Sequence, residues 1–333
     1  MNNTEIRVYR GTQGMGVIIE IIYGMDRIIM DFGAPFTPLN DLYDSQIRIR
    51  EDHRVKDAIL SGRIPAISGV FPKQDLQDLT LTSFEECPYH TAVFISHLHL
   101  DHMSEIDKIA TDIPVYMHKE ALKLKEVLEN TEEDRHVRDY TPFEYHQIIK
   151  NGSITVEPFF SDHPSVGCCG FIVCTPDKRI VYSGDIRFHG KNHEKAWREI
   201  DAVSSDDSDL LFVDATLTHL TDTLYSENIS AKRNIDASMF SEEDIYALID
   251  AQLKKNDSLI IVNPYYRDVN MLVELVKLAE ENGRIAVFEP LYAYVLYQLK
   301  GIRTTVLFPR DGRKYAYYSE LANDLPSIKA EVS

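Results

Sequence analysis

Short apolar runs dominate the first two-thirds of the chain, and helical periodicity takes over near its end. Residues 6–9, 16–22 and 27–30 read as strands, the last two joined by the turn Tyr23-Gly24-Met25-Asp26. Residues 37–90 are polar and irregular, with a helix expected around 52–60; so long a connection inside a compact domain is usually functional or specially packed. A short buried strand is expected at 91–96, then a helix at 103–110, a strand at 114–117 and a helix at 119–130. Strands return at 153–159, 170–174, 179–183 and 209–213, and residues 194–200 read as a helix that packs through Trp197. Beyond residue 216, helices at 241–254, 269–282 and 291–300 alternate with strands at 259–262, 285–288 and 304–307. That alternation predicts a parallel α/β unit. The expected organisation is a strand-rich domain over residues 1–215 and a smaller α/β domain over residues 216–333.

Composition narrows the class. The 333 residues include 44% hydrophobic and 26% charged positions, which excludes a disordered chain. Residues 1–10 lack the apolar core of a signal peptide, and Glu20 and Asp26 interrupt the most apolar stretch well short of a membrane span. A cytoplasmic protein with no membrane association is expected, and a homodimer is compatible with the sequence. Of the four cysteines, Cys168, Cys169 and Cys174 crowd together and Cys87 stands apart, a spacing unlike a disulfide framework. Cys168 and Cys174 read as small buried hydrophobes, which suits a reducing compartment. The net charge of −18 argues against a nucleic-acid scaffold that works by bulk charge, but leaves room for a local basic groove.

The densest chemistry is His97-Leu98-His99-Leu100-Asp101-His102, directly after a buried strand. Alternate residues of an extended segment point the same way, so His97 and His99 can share one metal. Asp101 and His102 fall where the chain turns into a helix and can face a second. Imidazole with carboxylate suits zinc, and also manganese or iron. Further along, His163 lies between strands in Phe160-Ser161-Asp162-His163-Pro164, and Asp185 ends a buried strand in Tyr182-Ser183-Gly184-Asp185. A carboxylate so placed can bridge two cations.

This pattern, His-x-His-x-Asp-His and then a distant His and a distant Asp, resembles that of the metallo-β-lactamase-fold hydrolases. The resemblance implies an αββα sandwich, with His97, His99 and His163 on a first metal, Asp101 and His102 on a second, and Asp185 bridging. Asp31 in Met30-Asp31-Phe32-Gly33 matches an early strand-end aspartate that supports the site, although it can also simply start a turn. The run from Tyr182 to Gly190 resembles ribonuclease J-like proteins. Leu211-Phe212-Val213-Asp214-Ala215-Thr216 resembles the acidic motif that precedes their inserted β-CASP domain, here represented by an incomplete Rossmann-like α/β portion. The resemblance thus implies metal-dependent hydrolysis of a phosphodiester in RNA, with Asp101 and Asp185 as catalytic residues and zinc as the cofactor.

One departure matters. The family pattern ends with a late metal-binding histidine, and no histidine comes after His219 in this sequence. A weak second metal is therefore expected, unless His219 substitutes. Two rivals stay open: a hydrolase of small lactones, thioesters or phosphoesters, favoured by the acidic composition, and a non-catalytic interaction protein with a vestigial site. His189 can contact a substrate phosphate or be an ordinary loop residue. His118, His136, His146 and His193 read as surface residues.

Overall fold

A computed structural model describes residues 3–10, 16–34, 50–131, 133–204, 206–214, 241–255, 258–309 and 315–329. Its first sheet has six strands, in order β1 (Glu5–Arg10), β2 (Ile18–Tyr23), β3 (Asp26–Met30), β4 (His90–Ile95), β5 (Val115–His118) and β6 (Thr141–Phe143). The first three are antiparallel and the last three continue in parallel. The second sheet runs β11 (Leu210–Phe212), β10 (Arg179–Tyr182), β9 (Cys169–Cys174), β8 (Ile154–Phe160) and β7 (Ile149–Asn151). The helices number, in chain order, α1 (Arg54–Leu60), α2 (Lys73–Leu76), α3 (Leu100–Met103), α4 (Lys119–Glu129), α5 (His193–Ser204), α6 (Glu242–Leu253), α7 (Val269–Glu281), α8 (Pro290–Lys300) and α9 (Ala316–Asp324).

Period-two alternation sorts the apolar side chains into layers. Ile19, Ile21, Ile28, Met30, Ala92 and Phe94 face the second sheet and meet Val156, Phe171, Val173 and Ile180. Their neighbours Ile18, Ile29, Val93 and Ile95 face the other way and pack on α1 and α4. With both faces covered, these strands read as nearly continuous apolar runs. Val203 of α5 closes the far side over Phe159 and Val181. The result is helix, sheet, sheet, helix: the expected αββα sandwich.

The α/β portion carries a third, parallel sheet of β12 (Val287–Phe288), β13 (Thr305–Phe308) and β14 (Ser327–Lys329). Pro290 opens α8, and Gly301, at φ 66°, ends it in the left-handed conformation that a glycine adopts freely. Val269, Leu272 and Val276 of α7 and Val295 and Leu296 of α8 join the same apolar cluster as α4. The boundary expected between residues 215 and 216 lies within 215–240, outside the described residues, as do Ala215, Thr216 and His219.

Some expectations fail for identifiable reasons. No helix spans 103–110. Glu105 N donates to Phe32 O and Ala110 N to Val70 O, so the donors that would extend α3 are used elsewhere, and only a 3-10 turn forms at Ile106–Lys108. Residues 259–262 form no strand, and Leu259 and Ile261 are 84% and 85% exposed. Strands β6 and β7 and helix α9 were not expected; Pro142 in β6 is tolerated because that strand lies at the sheet edge. The irregular connection is specially packed over its described part, with Ile64, Ile67, Val70 and Phe71 in the core. Among the described residues no helix is long and apolar enough to cross a membrane. Cys168 is buried, as expected, but Cys174 is only half-buried, and all four cysteines are unpaired.

Candidate metal centre

Parallel pairing of β3 with β4 brings the segments after Met30 and Ile95 to one edge, which delivers Asp31, Ser96 and His97 together. In the second sheet, β8 and β10 each pair antiparallel with β9, so both point the same way and deliver His163 and Asp185 beside them. Two glycines permit the close approach. A Cβ on Gly184, at φ 57°, would sit 2.6 Å from the Cys169 carbonyl oxygen. One on Gly33 would fall on the Asp101 backbone. Only glycine fits either place.

His97, His99, His163 and Asp185 then converge, each offering an atom within 4.8 Å of the others. His163 Nε2 lies 3.0 Å from His99 Nδ1 and 3.5 Å from Asp185 Oδ2, and His97 Nε2 lies 3.6 Å from that same oxygen. The other carboxylate oxygen, Oδ1, meets His102 Nε2 at 3.2 Å. Asp101 Oδ2 approaches His102 Nε2 at 3.5 Å. Asp185 therefore stands between a three-histidine group and an Asp101–His102 group.

Behind the histidines lies a buried network. Asp31, at φ 57° and fully buried, accepts from Ser96 N at 2.7 Å, Ser96 Oγ at 2.8 Å and Tyr182 OH at 2.6 Å. Its Oδ2 is also 2.8 Å from His102 Nδ1. A carboxylate on Nδ1 fixes the proton there and leaves Nε2 facing the centre. Asp31 is more than a turn former.

Electrostatics keeps the three converging histidines neutral. Burial, reinforced by His102, His163 and His99, holds His97 far below the usual imidazole range. Burial and the neighbouring His163 bring His99 down to about 3, and burial brings His163 to about 4. His102 behaves oppositely: burial pulls it down, but Asp31, Asp101 and Asp185 outweigh that and raise it well above normal. Burial would raise Asp185, yet its hydrogen bond and charge interaction with His102 leave it lowered.

These residues fit a divalent cation. Nε2 of His97 and Nε2 of His99 are buried without a hydrogen-bond partner, a costly state for a polar atom in a dry interior. Three neutral imidazoles and a carboxylate are ligands that zinc takes readily. All six residues singled out for metal binding, His97, His99, Asp101, His102, His163 and Asp185, stand at this one edge.

The other histidine readings divide. His136 and His146 are exposed, as expected, and His193 is half-buried. His118 is a correction: it is 3% exposed, caps α4 by accepting from Glu120 N at 3.2 Å, and stacks on Tyr145. Trp197 is also corrected. It is half exposed and stacks on Phe188 at 4.1 Å, while Ala196 and Val203 are the buried positions of α5. His189 is exposed, and its carbonyl accepts from Glu242 N. Sequence reasoning missed Ser96 and Tyr182, which flank the motifs, and also Tyr265, whose ring lies 5.4 Å from that of His99.

The fold has counterparts among known proteins. The model of the beta-lactamase superfamily domain matches residues 71–242, just over half of the chain, and the protein belongs to that family. A crystal structure of a protein of unknown function from Enterococcus faecalis V583 matches over 100% of this chain and 78% of its own, at 24% identity and a TM-score of 0.73. At that identity the likeness extends to the fold alone. Bacillus subtilis YhfI, described as a metallo-beta-lactamase fold protein, matches at 17% identity and a TM-score of 0.36, over 63% of this chain and 70% of its own. The metallo-beta-lactamase GOB-18 from Elizabethkingia meningoseptica matches at 14% identity and a TM-score of 0.39, over 72% and 84% respectively. No curated protein sequence matches the chain.

Proposed function

We propose that the protein is a metal-dependent hydrolase acting on a phosphodiester, with RNA as the substrate class and a ribonuclease J-like mode of action. The observation that carries the metal chemistry is the convergence of His97, His99, His163 and Asp185 within 4.8 Å, with Asp185 turned between those histidines and His102. The motifs around Asp185 and Asp214 support the nuclease reading by resemblance.

In this reading His97, His99 and His163 would hold a first divalent cation, zinc foremost, and Asp101 and His102 would hold a second, with Asp185 available to both. Such cations supply Lewis acidity and lower the pKa of water from about 15.7 toward about 7. Asp185 fixes the spacing between the two groups. Asp101, 8% exposed, orients the attacking water and accepts its proton. The water oxygen bonds to phosphorus as the bond from phosphorus to the leaving oxygen breaks, and the proton returns from Asp101 to that oxygen. Asp31 and Ser96 keep the His102 and His97 rings in orientation through the bonds to their Nδ1 atoms.

The net charge of −18 favours a second reading, a hydrolase of small lactones, thioesters or phosphoesters, because RNA binding draws on positive charge. Purified protein loaded with Zn²⁺ or Mn²⁺ and offered single-stranded RNA and chromogenic esters separates the two. Metal-dependent cleavage of RNA that disappears in Asp185→Ala is the expected result. Ester hydrolysis without RNA cleavage would move the assignment to the second reading, and absence of metal binding would overturn both.

A further inference from the structure

Arg27, Lys125, Arg138 and Arg267 are all buried, and the first two pair with carboxylates. Arg27 pairs with Glu20 at 3.1 Å, and Lys125 with Glu129 at 3.0 Å and Asp134 at 3.2 Å. Arg138 lacks a carboxylate but lies within 3.5 Å of five backbone carbonyl oxygens. Arg267 differs. It is 1% exposed, donates through Nη1 to Leu98 O and through Nε to Tyr266 OH at 3.2 Å, and sits 5.4 Å from the Tyr266 ring centroid. Among the described residues no carboxylate comes within ion-pairing distance of it. A guanidinium carries five N–H donors, and a buried charge without a counter-ion costs several kcal/mol.

Its position gives this charge a use. Leu98 O lies between His97 and His99, so Arg267 adjoins the candidate metal centre, and its charge contributes to holding His97 neutral. The segment that carries it is firmly held. Tyr292 OH donates to Pro264 O at 3.2 Å, Asp268 N to Tyr265 O at 3.0 Å, and the Asp268 carboxylate caps α7 by accepting from Met271 N at 3.0 Å. Tyr265, fixed between these anchors, is 41% exposed, with its ring centroid 5.4 Å from that of His99.

We propose that Arg267 and Tyr265 form the anion-selecting part of the site: the phosphodiester of the substrate supplies the negative charge that no carboxylate among the described residues offers Arg267, and the Tyr265 hydroxyl donates to its oxygen. Arg267 acts through its field, which a low-dielectric surrounding transmits without direct contact. This inference rests on the hydrolase reading above and adds which residues select the anionic substrate over a neutral one. It also explains how a chain of net charge −18 presents a locally favourable site to a negative group.

The test uses the metal-loaded protein with bis(p-nitrophenyl) phosphate, an anion, and p-nitrophenyl acetate, which is neutral, together with the affinity of dimethyl phosphate by calorimetry. Tyr265→Phe and Arg267→Gln are each expected to lower the phosphodiester-to-ester ratio of kcat/KM by about tenfold, a cost of about 1.4 kcal/mol. Dimethyl phosphate affinity should weaken similarly, with metal content preserved. Arg267→Lys should restore most of the ratio. Equal loss on both substrates, or unchanged dimethyl phosphate affinity in Tyr265→Phe, would overturn the proposal and leave Arg267 a structural latch. Should Arg267→Gln fail to fold, Tyr265→Phe and Arg267→Lys carry the test through the same ratio and affinity. Failure of the wild-type protein to take up metal would instead overturn the hydrolase reading, a separate outcome read by elemental analysis.

Discussion

Asp31 Oδ2 lies 2.8 Å from Nδ1 of His102, across 71 positions of sequence, and the same carboxylate takes three further donors from Ser96 and Tyr182. A fully buried carboxylate surrounded only by donors is strongly constrained: replacing one oxygen by an amide nitrogen sets donor against donor. Asp31→Asn should therefore disturb the His102 ring and weaken metal binding by about 10–100-fold, the usual effect of removing a partner behind a ligand. Tyr182→Phe removes one hydrogen bond of the four and should cost less. Competition with a chelator of known affinity measures both, and equal affinity in Asp31→Asn and wild type would refute this role.

Asp185→Ala tests the centre directly. Its two oxygens face different groups, so its loss should abolish hydrolysis and reduce bound metal for both. The fold should remain, because the residue comes after β10 and does not belong to the core. A folded variant with full activity and unchanged metal stoichiometry would make Asp185 an ordinary structural aspartate.

The site was largely legible in sequence because its chemistry is locally dense. His97, His99, Asp101 and His102 fall within six residues, and Asp185 sits in a recognisable run. The strands were legible because two covered faces leave apolar stretches with little polar interruption. The features that stayed hidden depend on distant packing. Arg267 reaches Leu98 across 169 positions, and nothing in Pro264-Tyr265-Tyr266-Arg267 marks that contact. His118 looked exposed because its neighbours in sequence are polar, whereas Tyr145 and the backbone at Gly167 cover it. The turn into α3 starts at Leu100, inside the histidine motif, because backbone bonds to the 31–34 segment and to Val70 replace the longer helix.

His118 carries a pH prediction that does not depend on metal. Burial holds it at about 4 in the folded protein, against about 6.5 unfolded. The unfolded chain then takes up the proton first, so this contribution to stability is present above about pH 6.5 and lost as pH falls toward 4. His118→Asn keeps a side-chain acceptor for Glu120 N and removes the titration. Relative to wild type, the variant should gain about 3 kcal/mol between pH 7 and pH 4. Urea midpoints of the two proteins over that range check it, and parallel curves would show that His118 does not titrate between these limits.

Gly33 sets how closely the segment after β3 approaches α3. A Cβ there would overlap the Asp101 carbonyl, and backbone cannot yield as a flexible side chain can. Gly33→Ala should destabilise the protein by more than about 2 kcal/mol and lower metal affinity, since Asp101 and His102 must shift. Gly62→Ala is a useful control. A Cβ at Gly62 meets nothing within 4 Å, so its cost comes only from the positive φ of 71°. Thermal melts with matched metal titrations distinguish them, and similar losses in the two variants would show that the close contact at Gly33 relaxes.

The final prediction concerns the two halves of the centre. His97, His99, His163 and Asp185 Oδ2 form one group, whereas Asp101, His102 and Asp185 Oδ1 form another with one fewer protein ligand. Three ligands with water completing the shell still bind zinc, but each missing ligand lowers affinity and leaves the ion more open to exchange. His102 adds a further cost, because its raised pKa means that a proton must leave before a cation enters. Titrating Zn²⁺ into metal-stripped protein should give one tight equivalent and a second at least about tenfold weaker. The second should strengthen as pH rises, while the first, built on histidines held neutral, should change little near pH 7. Two equally tight equivalents would show that another group, with His219 the foremost candidate, completes the second set, and His219→Ala would then lower one equivalent selectively.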